Sequence, residues 1–330
     1  MVGLTSDVTD AAPSAGVEPP SPRRRALRWA WGLLRVVLLV GFVGGLVSIV
    51  DWSKLAEIAS ALSPWTIAAI LLCGSAARAV GVLRWWTLLG GLAPDRRPPI
   101  LHLLRFGLLA EFVNIWVPSF IGGEVVRVWG VRQHTPTSVA VWSVGIDRVL
   151  GLLGLVLAVL PLGLLVDLPL PPELWMAGVA ALVVALGVAF LLRPRIAGLG
   201  GWAAALATLH PPRVLLALGL SSLSPWCLVL GYILFFGTLQ PELSVGGIAA
   251  FILLSRFGRA VPIQLFGVNS VEGTMWVLGE IVGIPREILA LSLAMNITDK
   301  YVHSMAGGLL ELALNGTELL GRVARGEVTD

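Results

Sequence analysis

Apolar residues occur in eight long runs along the chain, and short polar segments separate them. The runs cover about residues 29–50, 65–89, 100–117, 138–166, 174–192, 213–237, 245–263 and 288–312. A helix needs about 20 apolar residues to cross the hydrocarbon core of a bilayer, and each run is near that length. The pattern therefore predicts a series of membrane-embedded helices.

The charges between the runs predict which side of the membrane each loop faces. Lys and Arg collect in cytoplasmic loops, so we expect "RRRALR" (23–28), "PDRRPP" (94–99) and "RPR" (193–195) to be cytoplasmic. The segments "DLPLPPE" (167–173) and "QPE" (240–242) contain acids and no base, which favours the outside. Both termini are then cytoplasmic, in a multi-pass membrane protein.

This orientation leaves no room for two of the runs, 100–117 and 245–263, to cross the membrane completely. Each must enter and return on the same side, as a re-entrant hairpin of two helices. Proline removes a backbone donor and glycine allows a sharp reversal, so such residues mark the breaks between the two helices. The predicted breaks are "VPSFIGGE" and "VPIQLFG", with Pro118, Gly122, Gly123, Pro262 and Gly267. We predict an all-α polytopic membrane protein with six full spans and two re-entrant hairpins.

Composition agrees with a membrane protein and adds its domain limits. The chain is 56% hydrophobic and 13% charged, with a mean hydropathy of +0.87, whereas soluble domains are about a quarter charged. Residues 1–22 are rich in Pro, Ser, Ala and Gly, which is typical of a disordered tail. Residues 23–320 are predicted to form one transmembrane domain, and 321–330 a short cytoplasmic tail.

The two halves share an order of motifs, which indicates an internal repeat. In repeat A, about 65–166, the break is followed by Glu124 and then by Asp147-Arg148 in the next run. In repeat B, about 213–312, the break is followed by Glu272 and then by Asp299-Lys300. Because one hairpin enters from inside and the other from outside, the repeats are inverted, an arrangement found in many transporters.

Charged residues inside the apolar runs are costly in a bilayer and usually functional. Neighbouring residues on a helix do not face each other, so Asp147 and Arg148 each need another partner; Glu124 with Arg148 is one predicted pair. Two interpretations stay open: a structural ion-pair network that locks the hairpins, and a substrate site for an anionic head group. The candidate substrate-binding residues are Glu124, Arg127, Asp147, Arg148, Arg256, Arg259, Glu272, Asp299 and Lys300.

Several other residues in or beside the runs are predicted to have structural roles. Arg78, Arg84, Arg96 and Arg97 are predicted to be snorkelling or positive-inside anchors. His303 is predicted to be a packing residue rather than a proton relay. The cysteines, Cys73 and Cys227, lie in apolar runs and are predicted to be small packing residues.

No sequence motif of a known catalytic or nucleotide site is present. The chain has no G-x-S-x-G, no H-E-x-x-H, no Walker loop and no Asp-rich metal motif. We therefore expect a protein that is not an enzyme and that uses no cofactor and no metal. No basic patch with interleaved aromatic residues lies outside the apolar runs, so we expect no nucleic-acid partner.

The segments "NIWVPSFIGGEVVRVWGV" and "GIDRVLGLL" resemble the lysylphosphatidylglycerol synthase transmembrane family, which includes the flippase half of the bacterial multiple peptide resistance factor. The matching positions are Pro118, Gly122, Gly123, Glu124, Arg127, Asp147 and Arg148. The resemblance implies a polytopic protein that moves or presents anionic lipids. Residues 1–330 contain no soluble aminoacyl-transferase domain, so transfer of lysine to phosphatidylglycerol is not expected.

The main functional prediction is a translocase for an anionic lipid, either a phospholipid or a polyprenyl-phosphate-linked lipid. A second hypothesis is a membrane scaffold that presents a lipid-linked substrate to a cell-envelope glycosyltransferase. A third is a lipid-modifying enzyme in which Glu111 or Glu124 acts as the acid.

Overall fold

The computed structural model describes residues 50–116, 122–165, 211–260, 264–265 and 267–324, and single positions between 37 and 48. Three helices among these residues are long and apolar enough to cross a membrane: Pro64–Leu92, Thr137–Leu162 and Pro212–Leu239. The tail 1–22, most of the run 29–50, the run 174–192 and the last six residues lie outside the described residues. The protein is an all-α membrane protein, as predicted.

The first half begins with two helices whose starts are capped by side chains. Helix α1 is Trp52–Ser60, and its N-cap Asp51 accepts hydrogen bonds from the Ser53 and Lys54 amides. Helix α2 is Pro64–Leu92, with Ser63 accepting from the Thr66 amide and proline at the first helical position. Such capping satisfies backbone N–H groups that have no partner within the helix.

A helix–break–helix unit follows α2, where the sequence predicts the first re-entrant hairpin. After a 3₁₀ turn at Pro94–Arg96, helix α3 is Ile100–Trp116 and helix α4 is Gly122–Arg132. Residues 117–121 of the break, including Pro118, are outside the described part. Helix α5, Thr137–Leu165, follows and covers the apolar run at about 138–166.

The second half has the same order of elements. Helix α6 is Pro211–Leu239 and helix α7 is Val245–Ser255, followed by a 3₁₀ turn at Arg256–Ala260. Two short antiparallel strands, β1 (Gln264–Leu265) and β2 (Val268–Asn269), form the break. Helix α8 is Ser270–Val282, with a capping box of Asn269 and Glu272, and helix α9 is Arg286–Ala324. Pro262 lies outside the described residues.

Helix–helix contacts join the described parts of the two halves. Helix α2 packs along α6, α3 packs against α9, and α7 packs against α5. Glycine lets two of these helices approach closely: a Cβ on Gly154 of α5 would overlap Ser221 of α6, and one on Gly307 of α9 would overlap the Leu108 carbonyl of α3. Small residues at helix contacts are typical of membrane proteins.

The largest buried apolar cluster lies between α5, α6, α7, α8 and α9. Its largest fully buried members are Tyr232, Phe235, Phe236 and Phe251, whose rings pack edge to face or at a tilt. A smaller cluster around Trp85 joins α2 to the first hairpin and to α5.

Candidate functional site

In the first half, five charged side chains form a chain of ion pairs. Asp147 of α5 is buried, with 2% exposure, and its two carboxylate oxygens accept from Arg84 Nε of α2 at 2.7 Å and Arg127 Nη2 of α4 at 2.8 Å. Arg127 also lies 3.5 Å from Glu124, and Glu124 pairs with Arg148 of α5. The predicted pair of Glu124 and Arg148 is thereby confirmed, and the network ties the hairpin helix α4 to both long helices.

In the second half, Glu272 of α8 is the centre of the corresponding arrangement. Its side chain is fully buried, and it accepts hydrogen bonds from the Asn269 amide at 2.8 Å and from Asn296 Nδ2 at 2.6 Å. Lys300 of α9 forms an ion pair with the same carboxylate and donates to the Gly267 carbonyl at 3.1 Å. Both oxygens of Glu272 are therefore engaged within the protein.

A third group of ion pairs joins α2, α3 and α9 around Arg78. Arg78 Nε contacts both oxygens of Glu111 at 3.1 and 2.9 Å, and its Nη1 donates to Asp299 at 2.9 Å. His303 Nδ1 lies 2.7 Å from the Asp299 carbonyl, and its Nε2 lies 2.7 Å from Ser75 Oγ. His303 is thus part of a polar chain rather than a residue packed among apolar side chains.

Arg256 and Arg259 lie on the 3₁₀ turn of the second hairpin. Unlike the arginines of the ion pairs above, they have no carboxylate of the described residues within ion-pair distance. Arg256 is buried, with 3% exposure, and its Nη1 donates to the neutral Asn296 amide oxygen at 3.0 Å. Its Nε and Nη2 are buried without a hydrogen-bond partner. The Arg259 side chain has accessible surface, although many protein atoms surround it within a wider radius.

Exposed charge is concentrated at one place in the network. The Arg148 side chain is 48% exposed and that of Glu111 is 37% exposed, whereas Asp147 and Glu272 are buried. Arg259 lies within electrostatic range of Arg148 and Glu111. These three side chains, two cations and one carboxylate, keep accessible surface within electrostatic range of Arg259, and we call this group the cationic recess.

The breaks are built by small residues that make close contacts. The Gly123 amide donates to Asn114 Oδ1 at 2.8 Å, and a Cβ on Gly123 would overlap the Asn114 side chain. Gly267 has a φ of +77°, which favours glycine, and a Cβ there would lie 2.9 Å from the Tyr301 ring. Gly122 is the first residue of α4, so glycines stand at both breaks as predicted.

The prediction of snorkelling was wrong for Arg78 and Arg84. Snorkelling needs a helix end within reach of the side chain, but Arg78 is at the centre of Pro64–Leu92 and pairs with Glu111 and Asp299. Arg84 lies eight residues before the end of α2 and pairs with the buried Asp147. Their depth in the apolar run was the signal that could have identified both.

The other two arginines of this group lie just after the end of α2. Arg97 lies with its guanidinium 2.9 Å from the centre of the Trp86 ring and donates to the Trp86 carbonyl at 3.0 Å. Arg96 is exposed. Cys73 and Cys227 are free thiols, partly buried on α2 and α6.

Carboxylates and imidazoles of the described residues form no group of three that could hold a metal ion. Each buried carboxylate instead faces a guanidinium, an ammonium or an amide, as the contacts above show. The cationic recess suits an anion, because guanidinium groups form paired, charge-assisted hydrogen bonds to phosphate and carboxylate.

Comparison with known families gives one match, to "Lysylphosphatidylglycerol synthase TM region", over residues 29–307. The chain belongs to this family. Neither the curated proteins nor the solved structures contain a match. The family connects the chain to membrane processes of lipids or the cell envelope, and residues 29–307 include every candidate site residue named above.

Proposed function

We propose that the protein is a translocase that carries an anionic lipid across the membrane. The observation that carries this proposal is the recess with Arg148 and Arg259, two exposed guanidiniums in the membrane-embedded part of the chain. Charges at this depth are rare and are associated with substrate pathways. In this proposal the protein carries out no covalent reaction, and the bound species is a lipid head group.

The helix lengths support the predicted topology of six spans and two re-entrant hairpins. At 1.5 Å per residue, the 11 residues of α4, the 11 of α7 and the 13 of α8 extend only about 16–20 Å. The hydrocarbon core is about 30 Å thick, so none of these three helices crosses it alone. Two of the six proposed spans, 29–50 and 174–192, lie mainly outside the described residues.

Equivalent ion pairs support the inverted repeat. Glu124 on the second hairpin helix pairs with Arg148 on the following long helix, and Glu272 pairs with Lys300 in the same way. The packing is reciprocal too: the first hairpin's α3 contacts α9, and the second hairpin's α7 contacts α5. Inverted repeats place a binding site between hairpins that open to opposite faces.

The transport step follows from this arrangement. A lipid phosphate is attracted by Arg148 and Arg259, while its acyl chains remain in the bilayer and the head group passes between the hairpins. Irregular backbone at membrane depth requires such a polar cavity or surrounding protein. We place the protein in a bacterial-type cytoplasmic membrane, with both termini in the cytoplasm.

One observation favours the second hypothesis, a scaffold that presents a lipid-linked substrate to a glycosyltransferase. The ion pairs of Asp147, Glu124 and Glu272 tie both hairpins to long helices, and such a network resists movement. A scaffold would bind the anionic lipid in the same recess without exchanging it between leaflets.

The two hypotheses are separated by a translocation assay in liposomes with the purified full-length protein. We expect the protein to move fluorescent phosphatidylglycerol from one leaflet of the liposome to the other. It should not move fluorescent phosphatidylcholine. Arg148→Ala removes one recess cation and is expected to slow transfer about tenfold or more, since a charge-assisted hydrogen bond contributes about 1.5–3 kcal/mol.

Arg286→Ala is the matched control, because Arg286 is exposed and pairs only with Glu280 outside the network. It should transfer phosphatidylglycerol at the wild-type rate. Equal transfer by Arg148→Ala and wild type would contradict the assignment of the recess. Binding without any transfer, by protein that is folded, would favour the scaffold.

A further inference from the structure

The charges of the network do not balance. Among the described side chains it contains seven cations and five carboxylates, so its excess is two positive charges when His303 is neutral. The cations are Arg78, Arg84, Arg127, Arg148, Arg256, Arg259 and Lys300, and the carboxylates are Glu111, Glu124, Asp147, Glu272 and Asp299.

The two cations without a carboxylate partner both lie on the 3₁₀ turn of the second hairpin. Arg256 and Arg259 are its first and fourth residues, and a 3₁₀ helix has three residues per turn, so both Cα positions lie on one side of the turn. Every other cation of the network has a carboxylate partner. Arg256 instead faces neutral groups: its Nη1 donates to the Asn296 amide oxygen, and the Tyr232 hydroxyl lies within hydrogen-bonding range of the guanidinium.

Two polar atoms of Arg256 point to a missing anion. Its Nε and Nη2 are buried with no partner, and a buried donor is rarely left unsatisfied in a folded protein. Nε and one terminal nitrogen are the pair that a guanidinium uses for two parallel hydrogen bonds to an oxyanion. Arg259 adds a second, exposed guanidinium near Arg256.

We propose that the turn Arg256–Ala260 recognises a phosphate group with two negative charges, the phosphomonoester head group of a lipid, in preference to a phosphodiester. A phosphomonoester carries about −1.5 to −2 charges at pH 7, because its second pKa is about 6. A phosphodiester carries one negative charge and would leave one of the two cations uncompensated. This inference rests on the proposed function and specifies the head group of its substrate.

The test measures binding of two radiolabelled lipids to full-length protein in phosphatidylcholine nanodiscs. Phosphatidic acid supplies a phosphomonoester and phosphatidylglycerol a phosphodiester with similar acyl chains. We expect wild-type protein to bind phosphatidic acid about tenfold or more tightly at pH 8, because each guanidinium–phosphate contact gains from the second charge. At pH 5 the second proton is bound, so the preference should fall to about twofold or less.

Arg259→Gln should remove this preference, with dissociation constants for the two lipids at pH 8 that agree within about threefold. The Arg259 side chain is exposed and has no ion pair with a carboxylate of the described residues, so this variant should fold. Arg259→Lys retains the charge and should retain most of the preference. Arg286→Gln, outside the network, should leave both dissociation constants unchanged.

The outcomes separate this inference from the proposed function. Equal affinity of wild type for both lipids, weakened equally by Arg259→Gln, would overturn the phosphomonoester inference and leave anionic lipid binding intact. Binding of neither lipid would contradict both. Inorganic phosphate and glycerol phosphate are tested as competitors: displacement of phosphatidic acid by either at low millimolar concentration would assign the turn to free phosphate and overturn the lipid assignment.

Discussion

At the scale of single residues, burial separates two kinds of charge in the network. Asp147 and Glu272 are buried and have every carboxylate oxygen engaged by protein donors. Removing one member of such a buried pair leaves an uncompensated charge and costs about 3–5 kcal/mol. Arg148 and Arg259 keep exposed surface. In the proposed function the buried acids position the network, and the exposed arginines face the ligand.

Because Gly74 has no side chain, the carboxylate of Asp299 can lie directly against the backbone of α2. A Cβ at this position would overlap Asp299 Oδ1 and lie 3.0 Å from Arg78 Nη1. We expect Gly74→Ala to displace Asp299 from Arg78 and to destabilise the protein by about 1–3 kcal/mol, as overpacking does. Reversible unfolding in mixed micelles measures this change.

Gly81→Ala is the matched control on the same helix, since a Cβ on Gly81 meets no atom within 4 Å. Its stability should equal that of the wild type or exceed it slightly, because alanine favours helix more than glycine does. Equal effects of the two substitutions would mean that the contact between Gly74 and Asp299 carries no energy.

At the scale of elements, the first hairpin is fixed by the contact of α3 with α9. A Cβ on Gly307 of α9 would overlap the Leu108 carbonyl of α3, and one on Gly308 would lie 2.6 Å from the Phe112 ring. Beyond this contact, Arg105 of α3 pairs with Glu311 of α9 at 2.8 Å. The position of α3 therefore depends in part on close backbone approach to α9.

Gly307→Ala is expected to separate α3 from α9, because the new methyl group meets backbone rather than a flexible side chain. The expected destabilisation is about 1–3 kcal/mol, and reversible unfolding in mixed micelles measures it. Gly145→Ala on α5 meets no atom within 4 Å and serves as the control. Unchanged stability in Gly307→Ala would contradict the role of this contact.

At the scale of the whole molecule, the proposed inverted repeat makes a prediction about sidedness. The loop between α4 and α5 contains the exposed Gln133, and the loop between α6 and α7 contains the exposed Glu242. In a background with Cys73→Ala and Cys227→Ala, Gln133→Cys should react with an impermeant maleimide only from the cytoplasmic side. Glu242→Cys should react only from the opposite side.

Asp95→Cys is the reference for the cytoplasmic side, because Asp95 is exposed in the basic segment after α2. Labelling is compared in intact cells and in inside-out vesicles. Reaction of Gln133→Cys and Glu242→Cys from the same side would contradict the inverted arrangement of the hairpins, whatever the transport activity.

The class of protein and the positions of the three longest apolar helices of the described residues follow from local sequence patterns. Apolar runs of about 20 residues report burial in lipid through local composition, so α2, α5 and α6 were predictable, as was the break before Gly122. The location of Glu124, Asp147, Arg148 and Glu272 in or beside the apolar runs also marked them as unusual, because the cost of a charge in a bilayer does not depend on knowing its neighbours.

Which of these charged side chains form ion pairs depends on how the helices pack in the tertiary structure. Arg78 contacts Asp299, which is 221 residues away in the chain, and no local pattern specifies such a partner. The same applies to Arg84 and Asp147, so an arginine that sequence assigned to snorkelling belongs to the buried network. Whether a charged side chain is satisfied by protein or open to a ligand depends on helix packing, and this distinguishes Asp147 from Arg259.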